Sequence, residues 1–267
     1  MTRSDPVEPA PEIEHSAPRS GGAMELVGRL TTASNATFLA TLGESEVVYK
    51  PIAGERPLWD FPDGQLAHRE VASYLVSEAL GWSVVPETWL GDGPHGPGMI
   101  QRWIDTDDSI EPVTIVPEGE VPPGYLKVFD GFDEHDRVVT LVHEDTPELR
   151  RMAVFDAITN NADRKGGHVL PLAGGRRYGC DHGLTFHDEP KLRTILWGWH
   201  GLGFSEEELA GIRTVHAGLS GALGRSLAAY LTGREIEALG HRCEGLLAEG
   251  AFPRPGYDRH VIPWPPF

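Results

Sequence analysis

Cysteine is nearly absent from this chain. The two present, Cys180 and Cys243, share no CxxC spacing, which excludes a disulfide framework and a cysteine-rich zinc site. Long apolar runs are also missing, and no stretch approaches the length of a membrane span. The first twenty residues carry no apolar segment, so no signal peptide is expected and the chain is read as cytoplasmic. Positive charge is scarce: 23 Lys and Arg stand against 40 Asp and Glu, for a net charge of -17. With no basic cluster to approach a phosphate backbone, nucleic acid is excluded as a partner. The same charge argues against an anionic membrane surface. There are no internal repeats and no HExxH helix motif.

Turn formers are abundant, with 32 Gly and 22 Pro in 267 residues. That favours a β-rich or mixed fold over a helical bundle. Residues 1–22, rich in Pro, Glu and Ser, cannot build a core and read as a disordered tail. A meander follows over 25–50, with strands at Val27–Leu30, Thr37–Leu42 and Glu46–Lys50 separated by the turns Thr31–Asn35 and Gly43–Ser45. An amphipathic helix over 68–81 presents Val71, Ala72, Leu75, Val76, Ala79 and Leu80, and stops at Gly81. Two more strands, 84–90 and 98–104, complete a small lobe over 23–104. Residues 105–147 are acidic and Pro-rich and read as a connector with one strand pair, 126–129 and 137–142. Thr146-Pro147-Glu148 signals a helix start. Further helices are expected at about 206–216, 220–231 and 233–248, within a second lobe over 148–267. The aromatic, Pro-rich segment 254–267 is expected to dock back on the body.

The chemistry concentrates between Phe155 and Phe186. Asp163-Arg164-Lys165 lies in a polar loop. A short hairpin follows, 168–172 and 177–180, and ends at Asp181-His182-Gly183. Two carboxylates flanking a hairpin suit phosphoryl transfer, in which one acid orients a nucleophile and another holds a metal on the phosphates. Lys50 ends the third strand, 20 residues before Glu70. Glu70 either favours the helix dipole or pairs with Lys50 and aims it at a phosphate.

In these motifs the chain resembles the protein-kinase-like fold, in its phosphatidylinositol 3-/4-kinase and HipA-like branch, and specifically actinobacterial proteins of the phosphatidylinositol 3- and 4-kinase-like type. The resemblance covers roughly residues 25–245. It implies an α+β, two-lobed fold with a small β-rich N-lobe and a reduced helical C-lobe, and an ATP-dependent kinase acting as a monomer. The acceptor would be a hydroxyl on a protein Ser/Thr or a metabolite. It implies a catalytic loop of Asp163, Arg164 and Lys165, with Asp163 taking the hydroxyl proton. Asp181 would hold Mg2+ (Mn2+ is also compatible), with His168 at the position of the family's metal-binding Asn. Lys50, held by Glu70, would contact the phosphates of ATP, and Ser34 and Asn35 would cover them. Ile100, Gln101 and Trp103 would lie along the adenine. The family's loop His is Lys165 here, and a Gly-rich loop is absent. Two alternatives stand beside the kinase: a nucleotide-binding pseudokinase, favoured by His168, and a metal-dependent hydrolase using His168, Asp181, His182 and His187. The Trp59 loop and Trp197–His200 are candidates for the acceptor side.

Overall fold

A computed structural model describes residues 23–30, 35–56, 58, 60–61, 65–256 and 260–267. The tail over 1–22, Ser34 and Trp59 lie outside the described residues. The architecture is the expected α+β, two-lobed one.

The first lobe is an antiparallel sheet of β1 (Met24–Arg29), β2 (Phe38–Leu42), β3 (Ser45–Pro51), β4 (Thr88–Gly93) and β5 (Gly96–Arg102), in the order β1-β2-β3-β5-β4. The hairpin between β4 and β5 is longer than its composition suggests, because Gly91 and Gly98 pair within the ladder. Alternation in β3 sends Val47 and Tyr49 to one face and Lys50 to the other. Tyr49 pairs with Ile100, and both join Ala40 and Val47 in a small apolar cluster.

Helix α1 (Leu66–Leu80) covers the other side. Gly81 ends it in the left-handed conformation (φ 68°), as its sequence signals. Its start is capped from a distance. Both carboxylate oxygens of Glu55 accept backbone N–H bonds, from Leu66 at 3.1 Å and Ala67 at 2.8 Å. By packing, α1 belongs to the second lobe. Ala72, Leu75, Val76 and Leu80 share one core with Phe155, Ile158, Ile212 and Leu239. Arg69 fastens it further, bonding the carbonyl of Thr185 at 2.6 Å and Glu235 at 2.5 Å.

The connector holds more structure than a strand pair. β6 (Val113–Pro117), β7 (Tyr125–Phe132) and β8 (Val138–Glu144) form a three-stranded sheet in the order β6-β8-β7. β6 hides in the sequence because prolines bracket it, a pattern that only an edge strand tolerates. Helix α2 (Pro147–Thr159) begins with Thr146 accepting the N–H of Leu149, and Asn160 closes it at φ 55°. The hairpin β9 (Val169–Pro171) and β10 (Arg177–Gly179) pairs Leu170 with Tyr178. Helices α3 (Glu206–Gly218), α4 (Ala222–Leu227) and α5 (Gly233–Glu249) complete the body, with Ser205 and Thr232 each building a capping box. No helix among the described residues is long and apolar enough to cross a membrane.

Candidate active site

The sheet lobe and the hairpin meet around a cavity of about 390 Å³. Lys50 comes from β3, Glu70 from α1, Asp163 from the loop after α2, and Asp181 from the end of β10; all four line it. Asn35 and Thr37 close the side next to the β1–β2 turn.

Lys50 Nζ donates to Glu70 Oε1 at 2.6 Å and makes a second, very short contact with Asp181 Oδ1. Burial works against the ammonium charge, but Asp181 and Glu70 outweigh it and hold Lys50 above the ordinary lysine range. In return Lys50 holds Asp181 well below the usual carboxylate range, against the effect of burial. Glu70 is almost fully buried, and desolvation raises its pKa despite Lys50. Its second oxygen accepts the N–H of His182 at 3.3 Å, so Glu70 joins the lysine to the Asp181-His182-Gly183 turn. The dipole-only alternative for Glu70 is thereby set aside. Asp181 itself adopts a left-handed backbone (φ 60°), a conformation Asp tolerates better than most residues, at the position that bears the carboxylate.

Asp163 faces the same cavity. Burial pushes its carboxyl up to about 6, with Lys165 opposing; Lys165 Nζ stands 3.8 Å from Oδ2. The backbone of Asp163 is held twice: its N–H donates to Asn161 Oδ1 at 3.0 Å, and its carbonyl receives His168 Nδ1 at 2.8 Å. His168 then presents Nε2 to Asp181 Oδ2 at 3.5 Å. Burial takes the imidazole down to about 4, so it is neutral at physiological pH. A neutral imidazole nitrogen beside a carboxylate oxygen is a donor pair that a divalent ion accepts. Among the described residues, no group of three or more His, Cys, Asp and Glu forms a complete metal site. Any ion here would draw its remaining ligands from outside the protein.

Four expectations require correction. Arg164 does not reach the cavity. Its side chain has no exposure and is locked to the equally buried Asp156 at 2.8 Å, to the carbonyl of His168 at 3.2 Å and to His182 Nε2 at 2.7 Å. It is a framework residue, and Gly179 makes room for it: a Cβ there would stand 2.8 Å from Nη1. Ile100 points into the outer apolar cluster with Tyr49, on the face opposite Lys50. Gln101 is buried and spends its amide on Thr88 at 2.8 Å, while the backbone N–H of Trp103 donates to Glu46 at 3.0 Å. None of Ile100, Gln101 and Trp103 lines the Lys50 cavity. Trp197 and Trp199 are likewise packing residues: both are buried, and their indole N–H groups bond Val261 and Asp145. The histidines named for a hydrolase are not gathered either. His182 is enclosed against Arg164, and His187 packs edge-on against Phe61 with Nδ1 3.1 Å from Asp188.

Sequence reasoning missed Asp156 and Asn161, which together set the loop: Asn161 Nδ2 donates to Asp156 Oδ1 at 2.9 Å. The Asn160-Asn161 pair was the available signal. It also missed a second recess. A groove of about 1370 Å³ opens on the other side of Asp163, between Lys191, Arg193 and a wall made by residues 260–264. The docked C-terminal segment reaches the loop itself. Gly166 N–H donates to the carbonyl of Pro266 at 2.8 Å, and the ring of Phe267 fills the space a side chain at 166 would occupy.

Fold and cleft together define a two-lobed α+β protein with a lysine, a glutamate and two aspartates around one cavity. No protein-family model matches the chain. It belongs to the family of Protein Rv2133c from Mycobacterium tuberculosis (strain ATCC 25618 / H37Rv), with 49% identity over 263 residues, covering 92% of this chain and 93% of that protein. Among solved structures, a Helicobacter pylori proinflammatory kinase, CtkA, aligns at a TM-score of 0.47 and 11% identity, covering 87% of this chain and 93% of that one. An overlap that loose adds nothing to the architecture already described.

Proposed function

We propose that this protein is an atypical ATP-dependent kinase of the phosphatidylinositol 3-/4-kinase-like type, transferring the γ-phosphoryl group to a hydroxyl in the cytoplasm. The observation that carries the proposal is the joint position of Lys50, Glu70, Asp181 and Asp163 on one cavity. Four residues from four separate elements meet with the charges that phosphoryl transfer requires.

In this reading Lys50, braced by Glu70, contacts the nucleotide phosphates after releasing Asp181. Asn35 and Thr37 shield them from water. Asp181 and His168 would hold Mg2+ or Mn2+, which when bound supplies positive charge to the phosphates. Asp163 accepts the proton of the attacking hydroxyl, and a carboxyl pushed up to about 6 is better matched to that task near neutrality than an ordinary aspartate. Lys165 stands where it offsets charge on the transferring group. Because Asp163 lines both recesses, the nucleotide enters from the Lys50 side and the acceptor from the groove beside Lys191 and Arg193. A protein Ser/Thr or a metabolite hydroxyl remains the acceptor class.

A thermal-shift titration with ATP, in Mg2+, Mn2+ or no metal, tests the site on the parent and on Asp181→Asn. A metal-dependent rise in Tm that the variant loses supports the nucleotide site. No shift under any condition sinks it. Labelled ATP then separates a kinase from the second reading, a nucleotide-binding pseudokinase, which the imidazole at position 168 favours.

A further inference from the structure

The imidazole of His168 also bears on which divalent ion the site takes, a question that rests on the phosphotransfer reading above. Nδ1 of His168 lies 2.8 Å from the carbonyl oxygen of Asp163. The backbone N–H of Lys165 also approaches Nδ1, at 3.5 Å, but the shorter contact is to a carbonyl, which only accepts, so the proton sits on Nδ1 and Nε2 keeps its lone pair. That lone pair faces Oδ2 of Asp181 at 3.5 Å. Two acceptors therefore oppose each other with no proton between them, an arrangement that is repulsive until a cation joins them.

The surrounding charge points the same way. Lys50 is shared by two carboxylates, Glu70 and Asp181, which leaves one negative charge in surplus beside the imidazole. A doubly protonated His168 would also relieve the clash. Its side chain, however, is only 15% exposed, and burial disfavours a charged ring. The backbone bond from Nδ1 is the usual outer support of a metal-binding histidine, fixing both tautomer and ring orientation.

We propose that His168 and Asp181 form a mixed nitrogen–oxygen site that favours a first-row transition-metal ion, with Mn2+ as its probe, over Mg2+. Mg2+ is a hard ion that prefers oxygen ligands at about 2.0–2.1 Å in near-ideal octahedral geometry and gives up water reluctantly. Imidazole shifts preference toward transition ions.

The test measures Mn2+ and Mg2+ affinities by calorimetry on the full chain, alone and with a non-hydrolysable ATP analogue. The parent, His168→Asn and Asp181→Asn are compared, and pulsed EPR on the Mn2+-loaded parent looks for a directly bound nitrogen. The parent is expected to bind Mn2+ at least about tenfold more tightly than Mg2+, with histidine nitrogen coupling in the EPR spectrum. His168→Asn should remove most of that preference and the nitrogen coupling, and Asp181→Asn should weaken both ions. Equal affinities in the parent, an unchanged ratio in His168→Asn, or no nitrogen coupling would each overturn the proposal; the EPR result holds even if the variant folds poorly. Failure of the phosphotransfer reading looks different: the analogue would not bind with any metal, while Mn2+ would still titrate alone with its nitrogen coupling.

Discussion

The five-stranded sheet and the helical body carry the same site but are packed to different depths. Among the described residues the outer face of the sheet closes on Ala40, Val47, Tyr49 and Ile100, and β1 leaves Leu26 and Val27 in solvent. The body runs one continuous core through α1, α2, α3 and α5, with Leu149, Phe155, Ile158 and Ile212 fully enclosed. Glu70, Asp163 and Asp181 are mounted on the deep core, and Lys50 alone of the four is mounted on the shallow one. Local opening is cheapest where few apolar contacts must break. The sheet is thus the part that opens at lower cost, and the Lys50–Glu70 pair is the contact that ties it to the body.

The comparison breaks most severely if the body is opened at its polar centre. Arg164→Met leaves Asp156 charged and unpaired inside the core, and should cost about 3–5 kcal/mol in urea unfolding. Pairing it with Asp156→Leu should return part of that loss. If the single variant unfolds at the parental midpoint, the body is not organised around this pair.

Asp163→Asn should leave the frame standing and lower phosphotransfer by about 10²–10⁴-fold while nucleotide still raises Tm. Parental activity in this variant removes Asp163 as the base. The pH profile carries the same assignment. As the base must be ionised, the rate should fall about tenfold per unit below pH 6, where the carboxyl titrates. The stability sign is opposite. The folded protein holds this proton more tightly than the unfolded chain, so the contribution of Asp163 to stability is full below its unfolded pKa and is lost as pH rises toward 6. At neutral pH, Asp163→Asn should therefore be the more stable protein, by on the order of 1 kcal/mol, in a comparison of urea midpoints.

The mildest probe removes one methyl group from each region. Ile158→Val and Ile100→Val should each cost about 0.5–1.5 kcal/mol. The first should lower the global midpoint. The second should appear mainly as faster amide exchange in β2, β3 and β5. Equal global effects would mean that the sheet and body unfold as one unit.

Much of this was legible in the residues, and the boundary of legibility has a physical cause. The helix cap at Thr146, the stop at Gly81 and the 168–180 hairpin depend on local chemistry, which a sequence displays. The Lys50–Glu70 pair was legible through its spacing and its resemblance to a known family, whereas the contact of Lys50 with Asp181 was not. What stayed hidden is long-range. Glu55 caps a helix that starts eleven residues later, Arg164 turns inward because Asp156 and Gly179 make a place for it, and α1 joins the other lobe's core. The face on which Ile100 lies depended on strand register, which one residue of slip inverts.

The contact between Gly166 and residues 266–267 sets an order of events during synthesis. The loop bearing Asp163 and His168 is made about a hundred residues before the segment that fastens it. Nascent chains halted anywhere between could build α1, α2 and the hairpin, yet their loop would lack the Pro266 carbonyl and the Phe267 ring. Premature products of translation would accordingly carry a slack loop at Asp163 and His168, fastened only in chains that include Pro266 and Phe267.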